Sequence, residues 1–125
     1  MDGMQPPGHP VATRQFQEQV EGFSTDFLIS VYDDQLQIMA TQLDTFGTVL
    51  QAREERALEG DPTYSVTVLL GRRDEPVLSL CARGLVERIS AQGCAKPLLL
   101  FLGFKEHSAS AARRVIDVVM SNRIW

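Results

Sequence analysis

The residues that could perform catalysis are few, and their spacing keeps them apart. Cys94 and His107 are a thiol and an imidazole, the pair that a nucleophilic mechanism uses. They flank the predicted strand Leu98–Phe104, so strand rise alone separates them by roughly 25–30 Å. His9 lies in a stretch rich in Pro and Gly, where a histidine is normally solvated. We therefore reject a cysteine–histidine site.

Paired carboxylates and phosphate-binding loops are the other candidates for chemistry. Asp33 and Asp34 are adjacent, but in a turn their side chains point apart into water, and general acid–base catalysis needs a cleft. Gly71-Arg-Arg stands between a predicted strand and a predicted helix, yet it lacks the further glycines and the Gly-Lys-Ser/Thr ending of a phosphate-binding loop. No His, Cys or carboxylate cluster has metal-ligand spacing. The sequence therefore predicts no enzyme, no cofactor, no metal site and no small-molecule substrate.

Composition and charge indicate one globular domain. The 125 residues are 44% apolar and carry a formal net charge of -4, so a full core is available and no global basic surface attracts nucleic acid. Cys81 and Cys94 form no CxxC pair and are expected as free thiols in a reducing compartment. No apolar run is long enough to span a bilayer, and the N-terminus lacks the layout of a signal peptide. We expect a cytosolic or nuclear protein without nucleic-acid or membrane partners.

The elements that position these side chains are strands first and helices later. Residues 1–13 are rich in Pro and Gly and are predicted to be a flexible extension, whereas residues 14–125 form the domain. Alternating and β-branched stretches predict six strands. They are Arg14–Val20, Asp26–Tyr32, Gln35–Thr41, Thr45–Ala52, Tyr64–Leu70 and Leu98–Phe104. The last is apolar on both faces, which places it at the centre of the sheet or between a helix and a second chain.

Two amphipathic helices are predicted after the fifth strand. Asp74 can cap the first helix, and Gly93 supplies the usual left-handed stop. The second helix spans Ala111–Ser121, with Ser108 or Ser110 as its cap. The apolar stripes are Val77, Leu80, Cys81, Leu85 and Ile89 on the first helix and Ala112, Val115, Ile116, Val119 and Met120 on the second.

This element order predicts an α+β fold, a roughly six-stranded, mainly antiparallel sheet with two helices packed on one face. The other face is too apolar to be left in water, and a second chain is the economical way to cover it. Dimerisation through the sheet is therefore expected. The candidate residues for this interface are Leu28, Leu36, Ile38 and Val49.

The segment Arg53–Pro62 is the most charged part of the chain. Gly60 and Pro62 oppose a helix, so we predict a long exposed loop, with one helical turn at Glu54–Leu58 as an option. The loop is either a solvated connector or a mobile charged arm that meets a partner. The candidate contact residues are Arg53, Glu54, Glu55, Arg56, Glu59 and Asp61.

Several stretches resemble a known family. They are Phe23-Ser-Thr-Asp-Phe-Leu-Ile-Ser-Val, Phe46-Gly-Thr-Val-Leu, Val68-Leu-Leu-Gly-Arg-Arg-Asp-Glu-Pro and Leu98-Leu-Leu-Phe-Leu-Gly-Phe-Lys, followed by a last amphipathic helix and Trp125. Together they resemble proteasome assembly chaperone 3 from about Gln17 to Trp125. The most specific piece is the Leu-Leu-Gly turn into Asp-Glu-Pro and the helix.

The resemblance implies a non-enzymatic chaperone. Such a protein pairs with a related chaperone, the fourth of the series, or with a second copy of itself. The dimer binds α-type subunits of the 20S proteasome, helps to order the α-ring and leaves when β-type subunits join. The charged loop would then contact α-type subunits. The alternative is a roadblock- or longin-like dimeric scaffold for a GTPase or trafficking complex, but those folds place a helix among the first strands.

Overall fold

The computed structural model of the chain describes residues 10–45, 47–56 and 59–125. It contains one six-stranded sheet and two helices, which confirms the predicted α+β fold. In chain order the elements are β1 (Ala12–Val20), β2 (Phe23–Val31), β3 (Leu36–Gln42), β4 (Thr48–Glu55), β5 (Thr63–Leu70), α1 (Pro76–Ala91), β6 (Leu98–Gly103) and α2 (Ala109–Ser121).

β6 lies in the interior of the sheet, whose strand order is β1-β2-β3-β6-β4-β5. It runs parallel to β3 and antiparallel to β4, and the remaining neighbours are antiparallel. Leu100 of β6 is paired with Ile38 on one side and with Leu50 on the other. The interior position that was predicted for a strand apolar on both faces is therefore confirmed.

β1 and β2 form a hairpin that is closed by Glu21 and Gly22. Both residues have positive φ angles, 51° and 85°, as a two-residue turn between twisted strands requires. β1 begins at Ala12, earlier than the alternating sequence predicts, because backbone pairing with β2 continues to Val31. Residues 1–9 of the predicted flexible extension lie outside the described residues.

β4 begins at Thr48 and continues to Glu55, so the prediction of a loop from Arg53 is wrong for its first three residues. Each of them is paired with a residue of β5, for example Glu54 with Tyr64. The backbone pairing with β5 holds charged residues in a strand that their composition does not suggest. The optional helical turn at 54–58 is also wrong at residues 54 and 55, and residues 57 and 58 lie outside the described residues.

α1 is rotated relative to its predicted stripe. Cys81, Leu85 and Ile89 are buried as predicted, but Leu80 is 53% exposed. Leu78, Ala82 and Val86 complete the buried stripe in its place. Leu80 and Leu78 are equally apolar, so the phase of the helix is decided by its packing on the sheet.

The caps of the two helices differ. Asp74 does not cap α1, because Glu75 is the N-cap residue and its side chain makes no cap hydrogen bond. The carboxylate of Asp74 instead accepts a hydrogen bond from Arg72 at 3.4 Å. At α2 the backbone N–H of Ala111 donates to the hydroxyl of Ser108 at 3.1 Å, so Ser108 is the cap. The predicted apolar stripe of α2 is buried throughout.

Both helices cover the same face of the sheet. Leu36, Ile38 and Ala40 of β3 are 0% exposed and belong to the core that includes the apolar stripes of α1 and α2. The residues between them on β3 are only partly buried. The opposite face of the sheet therefore has no layer of this chain over it among the described residues.

Candidate interaction surfaces

Five apolar side chains form the centre of the face that the helices leave open. We call this group the uncovered sheet face: Leu28, Met39, Val49, Leu99 and Phe101. The pairing register joins them, because Met39 lies opposite both Leu28 and Phe101, and Phe101 also lies opposite Val49. All five are partly exposed. They make a contiguous apolar patch across four strands, from β2 to β4.

Polar residues surround this patch. Gln15 of β1 lies opposite Leu28, and Gln51 of β4 lies opposite Leu99. At one corner the amide of Gln17 donates to the carboxylate of Asp26 at 2.7 Å. An apolar centre with a polar rim is the usual anatomy of a protein–protein interface. The uncovered sheet face can therefore bind another protein without exposing charge at its centre.

Two of the four predicted interface residues lie on this face and two do not. Leu28 and Val49 are part of the uncovered sheet face. The prediction for Leu36 and Ile38 is wrong, because both point towards the helices and are fully buried. The residues of β3 alternate between the two faces of the sheet, and the more apolar ones, which include Leu36 and Ile38, face the core.

The prediction missed Met39, Leu99 and Phe101. A usable signal was present for two of them. β6 is apolar on both faces, and the helices can cover only one face of the sheet. Every second residue of β6 must therefore lie on the face that the helices leave open. Leu99 and Phe101 are that set, because Leu100 and Leu102 are fully buried in the core.

The candidate partner contacts form a second surface at the end of the β4–β5 hairpin. We call it the charged arm: Arg53, Glu55, Arg56, Glu59 and Asp61. All five residues are exposed. Glu55 also accepts a hydrogen bond from the hydroxyl of Ser65 at 3.1 Å. Negative and positive side chains are interspersed along the arm, so a partner with either charge pattern finds complementary groups.

Glu54, the sixth predicted contact, does not belong to the charged arm. Its side chain is only 4% exposed and points to the helix side of the sheet. Its carboxylate lies 3.0 Å from the guanidinium of Arg56 and accepts a hydrogen bond from Ser90 of α1 at 2.8 Å. The hydrogen bond from Arg56, and next the one from Ser90, lowers the pKa of Glu54 below its usual value. Glu54 therefore joins β4 to α1.

The residue types that could perform catalysis are not brought together. The imidazole of His107 lies 3.2 Å from the carboxylate of Glu75 at the start of α1. The backbone N–H of Cys94 donates a hydrogen bond to the carbonyl of Ile89 near the end of α1. The length of the helix separates Ile89 from Glu75 by about 20 Å. Burial raises the pKa of Cys81 to about 12, so its thiol stays protonated at neutral pH.

The described residues provide neither a metal-binding cluster nor a membrane-spanning helix. Ranges 10–45, 47–56 and 59–125 hold no group of three or more His, Cys, Asp or Glu side chains placed to bind a metal ion. Neither helix of the described chain has the length and apolar character needed to cross a bilayer.

Comparison with protein families identifies the chain. The family model described as proteasome assembly chaperone 3 matches residues 38–122, from β3 to the end of α2. The chain belongs to the proteasome assembly chaperone 3 family. The resemblance seen in the sequence is thereby confirmed, and membership of a chaperone family speaks against an enzymatic role.

Individual members of the family match over nearly the whole chain. The proteasome assembly chaperone 3 of Bos taurus is 27% identical over 121 residues, covering 94% of this chain and 98% of the relative. That of Nematostella vectensis is 28% identical over 119 residues, with 88% and 87% covered. The Homo sapiens protein is 25% identical over 118 residues, with 92% and 95% covered.

A solved structure shares the fold. It is a chain from a chaperone complex for yeast 20S proteasome assembly, with a TM-score of 0.71 at 10% sequence identity. The match covers 89% of this chain and 98% of the yeast chain. The arrangement of strands and helices described above is therefore also found in an experimental structure.

Proposed function

We propose that this chain is a non-enzymatic proteasome assembly chaperone that works as a dimer. Its partner is a related small chaperone similar to proteasome assembly chaperone 4, or a second copy of itself. The dimer binds α-type subunits, promotes assembly of the 20S α-ring and leaves when β-type subunits join. Family membership and the yeast complex support the role in proteasome assembly. The proposal places the protein in the cytoplasm or nucleus, without nucleic-acid, membrane or small-molecule partners.

The observation that carries the dimer is the uncovered sheet face. It presents aliphatic and aromatic side chains of four neighbouring strands in one patch, and monomeric proteins rarely leave such patches in water. A partner of the same fold has an equivalent face, and two sheets packed face to face lie about 10 Å apart, with their side chains interdigitated. The helices would then lie on the two outer sides of the dimer.

The charged arm is the proposed contact with α-type subunits. It lies at the far end of the β4–β5 hairpin, whereas the uncovered sheet face includes Val49 at the start of β4. A partner bound to the arm therefore need not displace a partner bound to the sheet. Charge pairs at an interface steer association and fix register, and exposed pairs add little affinity, so such a contact can be released.

The dimer is tested by placing a charge in the apolar patch. Leu28→Lys puts an ammonium group on the uncovered sheet face near its border with β1. We expect Leu28→Lys to lose the complex with the related chaperone in sedimentation velocity. Leu43→Lys is the matched control, because Leu43 is 78% exposed and lies in the turn before β4. A folded Leu28→Lys protein that still binds the related chaperone would refute the sheet-to-sheet contact.

The contact with α-type subunits is tested by reversing acidic charges. The triple variant Glu55→Lys, Glu59→Lys, Asp61→Lys should recover less α-type subunit in a pull-down at physiological salt, and the loss should be greatest at low ionic strength. The control reverses Asp33, Asp34 and Glu106, three exposed acids elsewhere. If both triple variants recover as much α-type subunit as the unmodified chain, the charged arm is not the contact.

A further inference from the structure

β5 is an edge strand without the usual protection. It is the last strand of the sheet, so the backbone N–H and C=O groups on its outer side are not paired with another strand of the described chain. Natural edge strands are commonly protected by charged residues or proline. The eight residues of β5, Thr63–Leu70, include neither. The opposite edge strand, β1, carries Arg14 and Glu18. The two edges of the same sheet therefore differ in their capacity to accept another strand.

Exposed leucines surround the β5 edge. Leu69 and Leu70 at the end of the strand are 47% and 69% exposed, and Leu80 of α1 is 53% exposed. Leu80 lines a shallow depression between α1 and β5 together with Val66. Because Leu80 and Val66 border the same depression, Leu80 stands beside the middle of β5, on the helix side of the sheet. An additional strand on β5 would pass beside Leu69, Leu70 and Leu80 and reduce their exposure.

The charges at the two ends of β5 have opposite sign. Glu59 and Asp61 precede the strand, and Arg73 follows it, whereas Arg72 is already paired with Asp74 at 3.4 Å. Glu59, Asp61 and Arg73 are exposed. An antiparallel second copy brings the basic end of one strand beside the acidic end of the other, twice in each pair. This pattern of charge is complementary to itself, and it favours a second copy of the chain over an unrelated strand.

The two faces of the sheet limit the register to axes that pass through a residue, and we choose the axis near the middle of β5 that also brings the oppositely charged ends together. Residues that lie opposite each other in an antiparallel pair must point to the same face. An axis through Thr67 satisfies this condition, because it places Val66 opposite the second copy's Val68 on the helix side. Asp61 and Arg73 lie six residues before and after Thr67, so the axis brings them to the same end of the pair, although the extra residue Leu69 and the turn at Gly71 take Arg73 out of the strand register. The same axis brings the two copies of Leu80 towards each other above the sheet.

We propose that two copies of this chain pair antiparallel through β5, about a two-fold axis at Thr67. The two sheets then form one continuous sheet with all helices on the same side. The pairing uses the edge and leaves the uncovered sheet face accessible on both copies. It is therefore independent of the proposed chaperone dimer, and the two contacts together would link two chaperone dimers edge to edge.

Disulfide trapping tests the register. Cys94→Ser removes the more accessible native thiol and leaves only Cys81, which is fully buried. In that background Thr67→Cys puts the two new thiols directly opposite each other, with Cβ atoms about 5 Å apart, and mild oxidation should give a disulfide-linked dimer. Ser65→Cys is the matched control on the same strand and face. Its two copies would be four residues apart along the strands, about 13 Å, and should not link.

A charge swap tests the specific partner. In a Leu28→Lys background, which removes the sheet-to-sheet contact, Arg73→Asp places a carboxylate near Asp61 at both ends of the pair, and sedimentation velocity should show dimerisation weakened about tenfold. Asp61→Arg should weaken it similarly, and the double variant Arg73→Asp, Asp61→Arg should restore it. Leu80→Glu should weaken pairing, whereas Leu43→Glu should not.

The outcomes separate this proposal from the chaperone dimer. Leu80→Glu should retain binding to the related chaperone and to α-type subunits, while Leu28→Lys should retain the Thr67→Cys disulfide. Equal linking of Thr67→Cys and Ser65→Cys, linking of neither, or failure of the charge swap to restore dimerisation would overturn the β5 pairing. A docked strand from another protein would give that last result, because a swap within one chain cannot compensate for an unchanged partner.

Discussion

Replacing Gly71 with alanine should destabilise the fold more than any other glycine substitution in a turn. Gly71 ends β5 with a φ of +109°, a backbone conformation that costs an L-residue about 1–2 kcal/mol. An added Cβ would also lie 2.8 Å from the Oγ1 and 2.9 Å from the Cα of Thr48. The Cα is backbone and cannot rotate away, so relief requires a shift of β4, and overpacking of this kind costs about 1–3 kcal/mol.

The sum is a loss of about 2–5 kcal/mol for Gly71→Ala, which for a domain of this size lowers Tm by roughly 8–20 °C. Urea unfolding followed by the fluorescence of Trp125, the single tryptophan, gives the free energy directly. Gly93→Ala is the control, because Gly93 has a φ of +94° but no described atom lies within 4 Å of an added Cβ.

The difference between the two variants measures the contact with Thr48. Adding Thr48→Ala to Gly71→Ala should not rescue stability, because the Cα of residue 48 remains and the backbone N–H of Arg72 loses the hydroxyl that accepts its hydrogen bond at 3.2 Å. Equal losses for Gly71→Ala and Gly93→Ala would refute the steric reasoning and leave only the cost of backbone conformation.

Four further predictions concern buried groups and caps. Leu100→Ala, at the fully buried centre of the sheet, should lower the free energy of unfolding by about 2–5 kcal/mol in urea titrations. Ser108→Ala should cost about 1 kcal/mol through loss of the α2 cap, and Ser108→Asn should largely retain stability. The pKa of Glu54 is lower in the folded protein than in the unfolded chain, so the ionised carboxylate stabilises the fold at any pH above the unfolded-state pKa. This contribution is lost as the pH falls through the folded-state pKa of Glu54. Glu54→Gln should therefore be less stable than the unmodified chain at pH 7 and should lose less stability on acidification. In native protein a thiol reagent should modify Cys94 and leave Cys81 unmodified until the chain unfolds, and rapid modification of both would contradict the burial of Cys81.

Some of the fold could be predicted because single residues or short patterns determine it. Ser108 caps α2 through its own hydroxyl and a nearby backbone N–H. The interior position of β6 follows from its apolar residues on both faces. In each case the decisive interaction is local or follows from composition alone.

The rest depended on which neighbour each element has. The phase of β3 could not be assigned, because both alternate sets contain apolar residues and only the packed helices select Leu36 and Ile38 for the core. The sequence likewise does not decide whether Leu78 or Leu80 of α1 faces the core, because only the packing of the helix on the sheet selects between them. The charged end of β4 was predicted as a loop because its strand conformation depends on pairing with β5, which begins at Thr63.

The position of β6 also has a consequence for synthesis of the chain. β6 is the last strand to leave the ribosome, yet it joins β3 to β4, which are otherwise not paired with each other. Until residues 98–103 emerge, the nascent polypeptide consists of a three-stranded piece and a separate β4–β5 hairpin. Joining of the two halves must then wait until translation is nearly finished, and a chain truncated before Leu98 would expose the edges of both pieces to aggregation.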